Sequence, residues 1–173
     1  MRLYLIGMPG AGKTTLGRGL AAFYGVPFFD LDEEIVRREG RSIPDIFSKE
    51  GESYFREREA ATLRDVLSKH ERLVLATGGG TPCFHQNMDV LLATGLTLYL
   101  AVPVEELVRR VQRAAATRPL LAHLSDSQAL ETRLRETLDT REQFYNRAPL
   151  RCAAVACSVE NVQRLIAHYR TTG

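Results

Sequence analysis

Eight consecutive residues near the amino terminus, Gly7-Met8-Pro9-Gly10-Ala11-Gly12-Lys13-Thr14, carry the spacing GxxxxGK[ST], and each residue type in it has a use at a polyphosphate. Glycines at 7, 10 and 12 let the backbone curl so that successive N–H groups point inward at phosphate oxygens. The start of a following helix would add the positive end of its dipole. Lys13, expected to be exposed until a nucleotide arrives, supplies a mobile positive charge for β- and γ-phosphates, and the Thr14 hydroxyl is placed to ligate magnesium. Gly10, Ala11, Gly12, Lys13, Thr14 and Thr15 are therefore the expected contacts to ATP. A threonine early in a helix can also simply cap it, but a preceding Lys13 favours the metal role.

Asp30 and Asp32 close the run Phe28-Phe29-Asp30-Leu31-Asp32, and alternation in an extended chain would turn both carboxylates to one side. Two acids facing a triphosphate need cations, for which magnesium is the natural one; an acceptor hydroxyl that loses a proton gives a carboxylate a second use. The plainer reading makes Asp32, with Glu33 and Glu34, the solvated start of a helix. Thr77-Gly78-Gly79-Gly80 leaves backbone N–H groups open to close approach by a ligand, although glycine runs also serve tight turns. Arg56, among Glu52, Glu57 and Glu59, reads by spacing alone as part of a solvated helical face. Beyond Arg109 the periodicity fades around Arg110, Arg113 and Arg118-Pro119-Leu120-Leu121, a loop that could close over ATP and bring Arg118 to the transferring phosphoryl group. An ordinary surface crossover fits those residues equally well.

The elements that must position these groups alternate. Short apolar or β-branched runs at 2–6, 27–31, 72–77, 96–102 and 153–157 predict five strands. Amphipathic stretches at 13–24, 33–39, 52–69, 86–93, 104–115, 127–145 and 159–169 predict helices between and after them. Ser42 with Asp45 three residues on resembles a capping box and predicts one further short helix. Strands separated by helices imply a parallel sheet covered on both faces, with its sites at the carboxyl ends of the strands, where every motif above falls.

A chain of 173 residues with 45% hydrophobic and 25% charged residues is sized and composed as one globular domain. A net charge of +2 is too small to point to nucleic acid. The amino terminus, with only a short apolar run from Leu3 to Ile6, reads as neither a signal peptide nor a membrane span. Cys83, Cys152 and Cys157 form no CxxC pair and no even framework, so reduced thiols and a cytoplasmic location are expected. Cys83 reads as an inert thiol. The four histidines show no ligand spacing.

In order and spacing, the glycine-rich loop at 7–14, Asp30 with Asp32, Phe55-Arg56, Gly78 to Gly80, Arg118 to Leu121 and Arg141 resemble the shikimate kinase family, of the nucleoside-monophosphate-kinase-like group. The resemblance spans residues 3–157. It implies a three-layer α/β P-loop fold with a five-stranded parallel sheet flanked by helices, a single domain over 1–173, and a mobile lid at about 111–125. The implied activity is ATP-dependent phosphorylation of the 3-hydroxyl of shikimate, giving shikimate 3-phosphate and ADP on the route to chorismate and the aromatic amino acids. By that resemblance Lys13, Asp32 and Arg118 are catalytic, Asp32 binding ring hydroxyls and acting as base, with Mg2+ on Thr14 and, through water, Asp30. Arg56 and Arg141 would pair with the shikimate carboxylate, Gly78, Gly79 and Gly80 would line the acceptor site, and Phe47 and Phe55 would wall it. Arg110 would stack on adenine near Ser158, but the interval from Arg110 to Arg118 is one residue longer than the family pattern, leaving Arg109 and Arg113 as alternatives. The expected partners are small molecules, shikimate and ATP, with no nucleic acid, no membrane and a monomeric chain. A gluconate- or nucleotide-type kinase of the same fold would differ at the acceptor pocket. A GTPase switch would need an NKxD string that does not occur.

Overall fold

The computed structural model describes residues 1–116, 127–153 and 157–172. Arg2–Ile6 forms strand β1, whose Leu3, Tyr4, Leu5 and Ile6 are all 0% exposed, the continuous apolar run of a strand buried on both faces. Lys13–Tyr24 (helix α1) leads to Phe28–Asp30 (β2), Leu31–Glu39 (α2) and Ile43–Lys69 (α3). Leu73–Ala76 (β3) and a single 3-10 turn at Thr81–Cys83 precede Asn87–Thr94 (α4) and Leu96–Ala101 (β4). Val104–Ala116 (α5), Ser127–Tyr145 (α6), Leu150–Ala153 (β5) and Val159–Thr172 (α7) complete the described chain.

The five strands are all parallel in the order β2-β3-β1-β4-β5. The chain leaves β1 toward β2 and β3 on one side, then crosses to β4 and β5 on the other, so the crevice at the carboxyl end of β1 lies where the winding reverses. The loops after β1, β2 and β3 converge there. Helix α1 packs on β1, β2 and β3 and against α7, while α5 lies along α6.

Three local expectations change. Asp30 and Asp32 do not share an extended strand: Asp30 is the N-cap of α2, its Oδ1 accepting from the N–H groups of Asp32 at 3.1 Å and Glu33 at 3.5 Å. A carboxylate that satisfies otherwise unpaired donors starts the helix two residues earlier than apolar patterning alone suggests. Ser42 does cap a helix, accepting from the Asp45 N–H at 3.2 Å, but that helix runs on into the next as α3, broken only at Gly51 with φ 83°. The last strand is Leu150–Ala153 rather than 153–157; buried Leu150 and Cys152 alternate with exposed Arg151 and Ala153, as suits a strand at the sheet edge. Residues 154–156 lie outside the described residues. Helix α5 continues through Ala116, and Arg118 with the rest of the expected lid also falls outside them.

Candidate active site

Two clefts meet over the loop that follows β1. The first, of about 430 Å³, is lined by Pro9, Gly10, Gly12, Lys13, Thr14, Thr15, Asp30, Asp32, Thr77, Gly78 and Gly79. The second, of about 420 Å³, is lined by Ala11, Gly12, Thr15, Leu16, Leu100, Arg110, Cys157, Ser158 and Val159. Gly12 and Thr15 belong to both, so the two form one continuous track across the start of α1. Gly12, with φ 93°, turns the chain into α1 in a conformation that disfavours a side chain.

Lys13 is not exposed. It is 8% accessible, and its Nζ donates to the Gly7 carbonyl at 2.8 Å and the Met8 carbonyl at 2.9 Å. Burial brings its pKa down to about 8, against the opposing pull of the Asp32 and Asp30 carboxylates. The ammonium is thus folded back across its own loop, where incoming phosphates would restore its charge. Thr14 donates its hydroxyl to Asp30 Oδ2 at 2.7 Å, so the two residues expected at magnesium are already together.

Asp32, in the first turn of α2, still faces the first cleft, because Asp30 holds the start of the helix against the end of β2. Burial pushes its carboxyl up to about 6; the Asp30 and Glu59 carboxylates add to the rise, while Lys13 and Arg56 oppose it. A side-chain carbon placed on Gly78 would sit 2.9 Å from Asp32 Oδ1 and 3.2 Å from Glu59 Oε1, so both acids press on that bare glycine.

Arg56 is no solvated face. It is 8% exposed, its Nη1 donating to Glu59 Oε2 at 2.9 Å and its Nε to Glu52 Oε1 at 3.3 Å, with its guanidinium 4.2 Å from the Phe84 ring centre. Glu59 is 1% exposed and also accepts the Thr81 hydroxyl at 2.6 Å. Glu59, Thr81 and Phe84 were missed from the sequence; the available signal was the three-residue spacing from Arg56 to Glu59 on one helix. Phe47 and Phe55 pack beside this cluster with ring centres 4.7 Å apart.

Arg141 reaches the same loop from α6. A side-chain carbon on Gly79 would collide with Arg141 Nη1 at 2.8 Å and with Pro9 Cδ at 2.7 Å, so a larger residue at 79 would separate Arg141 from the phosphate loop. In contrast to Arg56, Arg141 has no carboxylate within ion-pair distance among the described residues. At the second cleft, Arg110 Nη1 donates to the carbonyls of Gly10 at 3.2 Å and Ala11 at 3.0 Å, and its side chain faces Ser158 across that cleft. Arg109 instead points along its own helix to Glu105 and Glu106, and neither it nor Arg113 lines that cleft.

Comparison with known proteins adds a family to this geometry. A family model described as shikimate kinase matches residues 9–169. The shikimate kinase of Parabacteroides distasonis is 42% identical over 149 residues, 86% of this chain and 85% of that protein. The crystal structure of shikimate kinase from Bacteroides thetaiotaomicron superposes with a TM-score of 0.85 at 34% identity, covering 98% of each chain. Shikimate kinase from Acinetobacter baumannii in complex with shikimate gives a TM-score of 0.81 at 36% identity, over 97% of this chain and 93% of that one.

Proposed function

The chain belongs to the shikimate kinase family, and from that premise we propose how its two clefts divide the labour of the reaction. The activity is ATP-dependent phosphorylation of a hydroxyl group of shikimate. In the proposed arrangement the second cleft holds the nucleoside, with Arg110 on adenine opposite Ser158, and the loop from Gly10 to Thr15 wraps the phosphates. The first cleft holds shikimate, its 3-hydroxyl at Asp32. The observation that carries this reading is the buried ammonium of Lys13, which lines the first cleft beside Gly12, a residue shared by both clefts, with Asp32 on the acceptor side.

Phosphoryl transfer is mainly a matter of placement and charge. The acceptor oxygen forms a bond to the γ-phosphorus as the bond to the leaving ADP oxygen breaks. Asp32, ionised above a pKa of about 6, receives the hydroxyl proton. Lys13 offsets charge on the β- and γ-oxygens, and Arg118, outside the described residues, is assigned to the transferring group by resemblance alone. The split between kcat and ATP affinity in Arg118→Ala tests that role. Thr14 and Asp30 suit a hard cation that keeps several waters and is completed by phosphates: one hydroxyl and one carboxylate stand 2.7 Å apart at the loop. Bound there, Mg2+ would neutralise the polyphosphate. A monomeric chain and a cytoplasmic location belong to the same proposal, and sedimentation at assay concentration would check the first.

Arg141 is the cleaner reader of the acceptor carboxylate. Arg56 is held by buried Glu59, and removing one partner of a buried pair typically costs about 3–5 kcal/mol of stability, so Arg56→Ala is expected to unfold or weaken the protein as well as the site. Arg141→Ala should instead weaken shikimate about ten- to hundredfold, the loss of a charge-assisted contact, with ATP affinity measured without shikimate nearly unchanged. An acceptor analogue with a neutral amide should be handled poorly by the wild type and be discriminated far less by Arg141→Ala. Equal discrimination by both would remove Arg141 from the carboxylate. The function as a whole is tested by ADP release across shikimate, gluconate and nucleoside monophosphates; turnover confined to the last two would overturn it.

A further inference from the structure

Tyr145 has no place in the reaction as described, yet it is 0% exposed at the end of α6 and its hydroxyl donates to the Gly79 carbonyl at 2.6 Å. Its ring lies 5.0 Å from that of Tyr99, and its oxygen is 3.9 Å from the Met8 sulfur in the phosphate-binding loop. Arg141 is one helical turn earlier on the same element, and its guanidinium crowds Gly79. One hydroxyl therefore ties the helix that carries Arg141 to the glycine loop that must meet the same acceptor.

The peptide linking Gly79 to Gly80 is trans, so anchoring the Gly79 carbonyl on Tyr145 sends the Gly80 N–H in the opposite direction. Neither the Gly79 nor the Gly80 N–H finds an acceptor among the described residues. Gly79 lines the first cleft, so its N–H is left for a ligand, and the tie to Tyr145 fixes the orientation of the peptide that follows it.

We infer that Tyr145 is a positioning residue for the acceptor, its hydroxyl fixing the Gly79–Gly80 peptide and Arg141 in one frame that receives shikimate. The inference rests on the shikimate kinase reading. Burial raises the Tyr145 phenol far above its usual value, which keeps the hydroxyl protonated and donating throughout the working pH range.

The test is Tyr145→Phe, which keeps the ring against Tyr99 and deletes the hydroxyl with its bond to Gly79 and its weak contact to the Met8 sulfur. The shikimate KM is expected to rise about three- to tenfold, the loss of one neutral hydrogen bond's worth of alignment, with the ATP KM within about twofold of wild type. Tyr99→Leu disturbs the same ring packing without touching Gly79, and should lower Tm while leaving the shikimate KM in place. The inference is overturned by an unchanged shikimate KM in Tyr145→Phe, by parallel changes in both KM values, or by the same selective change in Tyr99→Leu. Should Tyr145→Phe not accumulate folded, 3-fluorotyrosine at position 145, a stronger donor, is expected to give a shikimate KM at or below wild type, and a raised one overturns the inference. Failure of the underlying reading shows separately, as absent turnover of shikimate by the wild type, and takes the inference with it.

Discussion

Replacing Lys13 with methionine is expected to lower kcat/KM for phosphoryl transfer by at least about 10³, while the protein remains folded. The scale follows from removing a pre-placed charge from developing phosphate negativity in a site that excludes water. Methionine keeps the length and apolar body of the stem, which packs at 8% exposure, and gives up only the ammonium. That ammonium is held in a state the fold disfavours, since burial lowers its pKa from 10.5 to about 8. For a base with a lowered folded pKa, the charged form costs stability below the folded value, and the cost fades as pH rises from about 8 toward 10.5. Thermal melting of Lys13→Met near neutral pH should therefore lie at or above wild type, the relieved charge outweighing the two lost hydrogen bonds to the Gly7 and Met8 carbonyls. A second readout isolates the charge: at pH 8 ATP binding should take up as much as about half a proton in the wild type, because phosphates restore the ammonium, and the uptake should vanish in Lys13→Met. Calorimetry in buffers of different ionisation heat measures it. Near-wild-type turnover by the folded variant would dismiss the phosphate role of this lysine.

Asp32→Asn should reduce kcat by roughly 10²–10⁴ if the carboxylate takes the acceptor proton, and should act mainly on KM if it only orients the hydroxyl. The same substitution is expected to stabilise the fold. The folded pKa of Asp32 is raised from 3.8 to about 6, so between those values the native state binds a proton that the unfolded chain has released. Stability from this group thus falls as pH rises through that window, and above about 6 the ionised carboxylate is a net cost. Asparagine lifts that cost, worth at most about 3 kcal/mol, and Tm at pH 7.5 should rise by roughly 3–6 °C. The advantage should disappear below about pH 4. Wild-type kcat/KM for shikimate should fall as pH drops through about 6, and Asp32→Asn should lose that limb. A variant that keeps the acid limb would place the titrating group elsewhere. Together these outcomes describe a site whose acids are crowded at the expense of stability, because the chemistry needs a proton acceptor near neutral pH.

The sequence by itself determined whatever depends on near neighbours along the chain. The turn from β1 into α1 is encoded in eight contiguous residues, and the apolar runs of β1, β3 and β4 place those strands to within a residue or so at each end. Thr14 and Asp30 were legible as a pair because a loop motif and a strand end each announce a position at the same edge of a parallel sheet. Arg56 shows where that logic stops. Its immediate neighbours are acids that suggest solvent, and only the packing of α3 under the Thr81 turn makes Glu59 a buried counter-charge rather than a surface one. Lys13 reads as a mobile charge, yet whether it reaches outward or folds back on the Gly7 and Met8 carbonyls depends on space that the whole sheet crevice defines. Asp30 and Asp32 look alike in an alternating strand, and the helix that starts between them makes one a cap and the other a crowded carboxylate pushed up to about 6. Tyr145 and Gly79 lie 66 residues apart, and nothing local in either segment calls for the other. Motif spacing specifies which groups arrive at the carboxyl edge of the sheet; burial and partnership, which set their charge and direction, exist only once distant elements close around them.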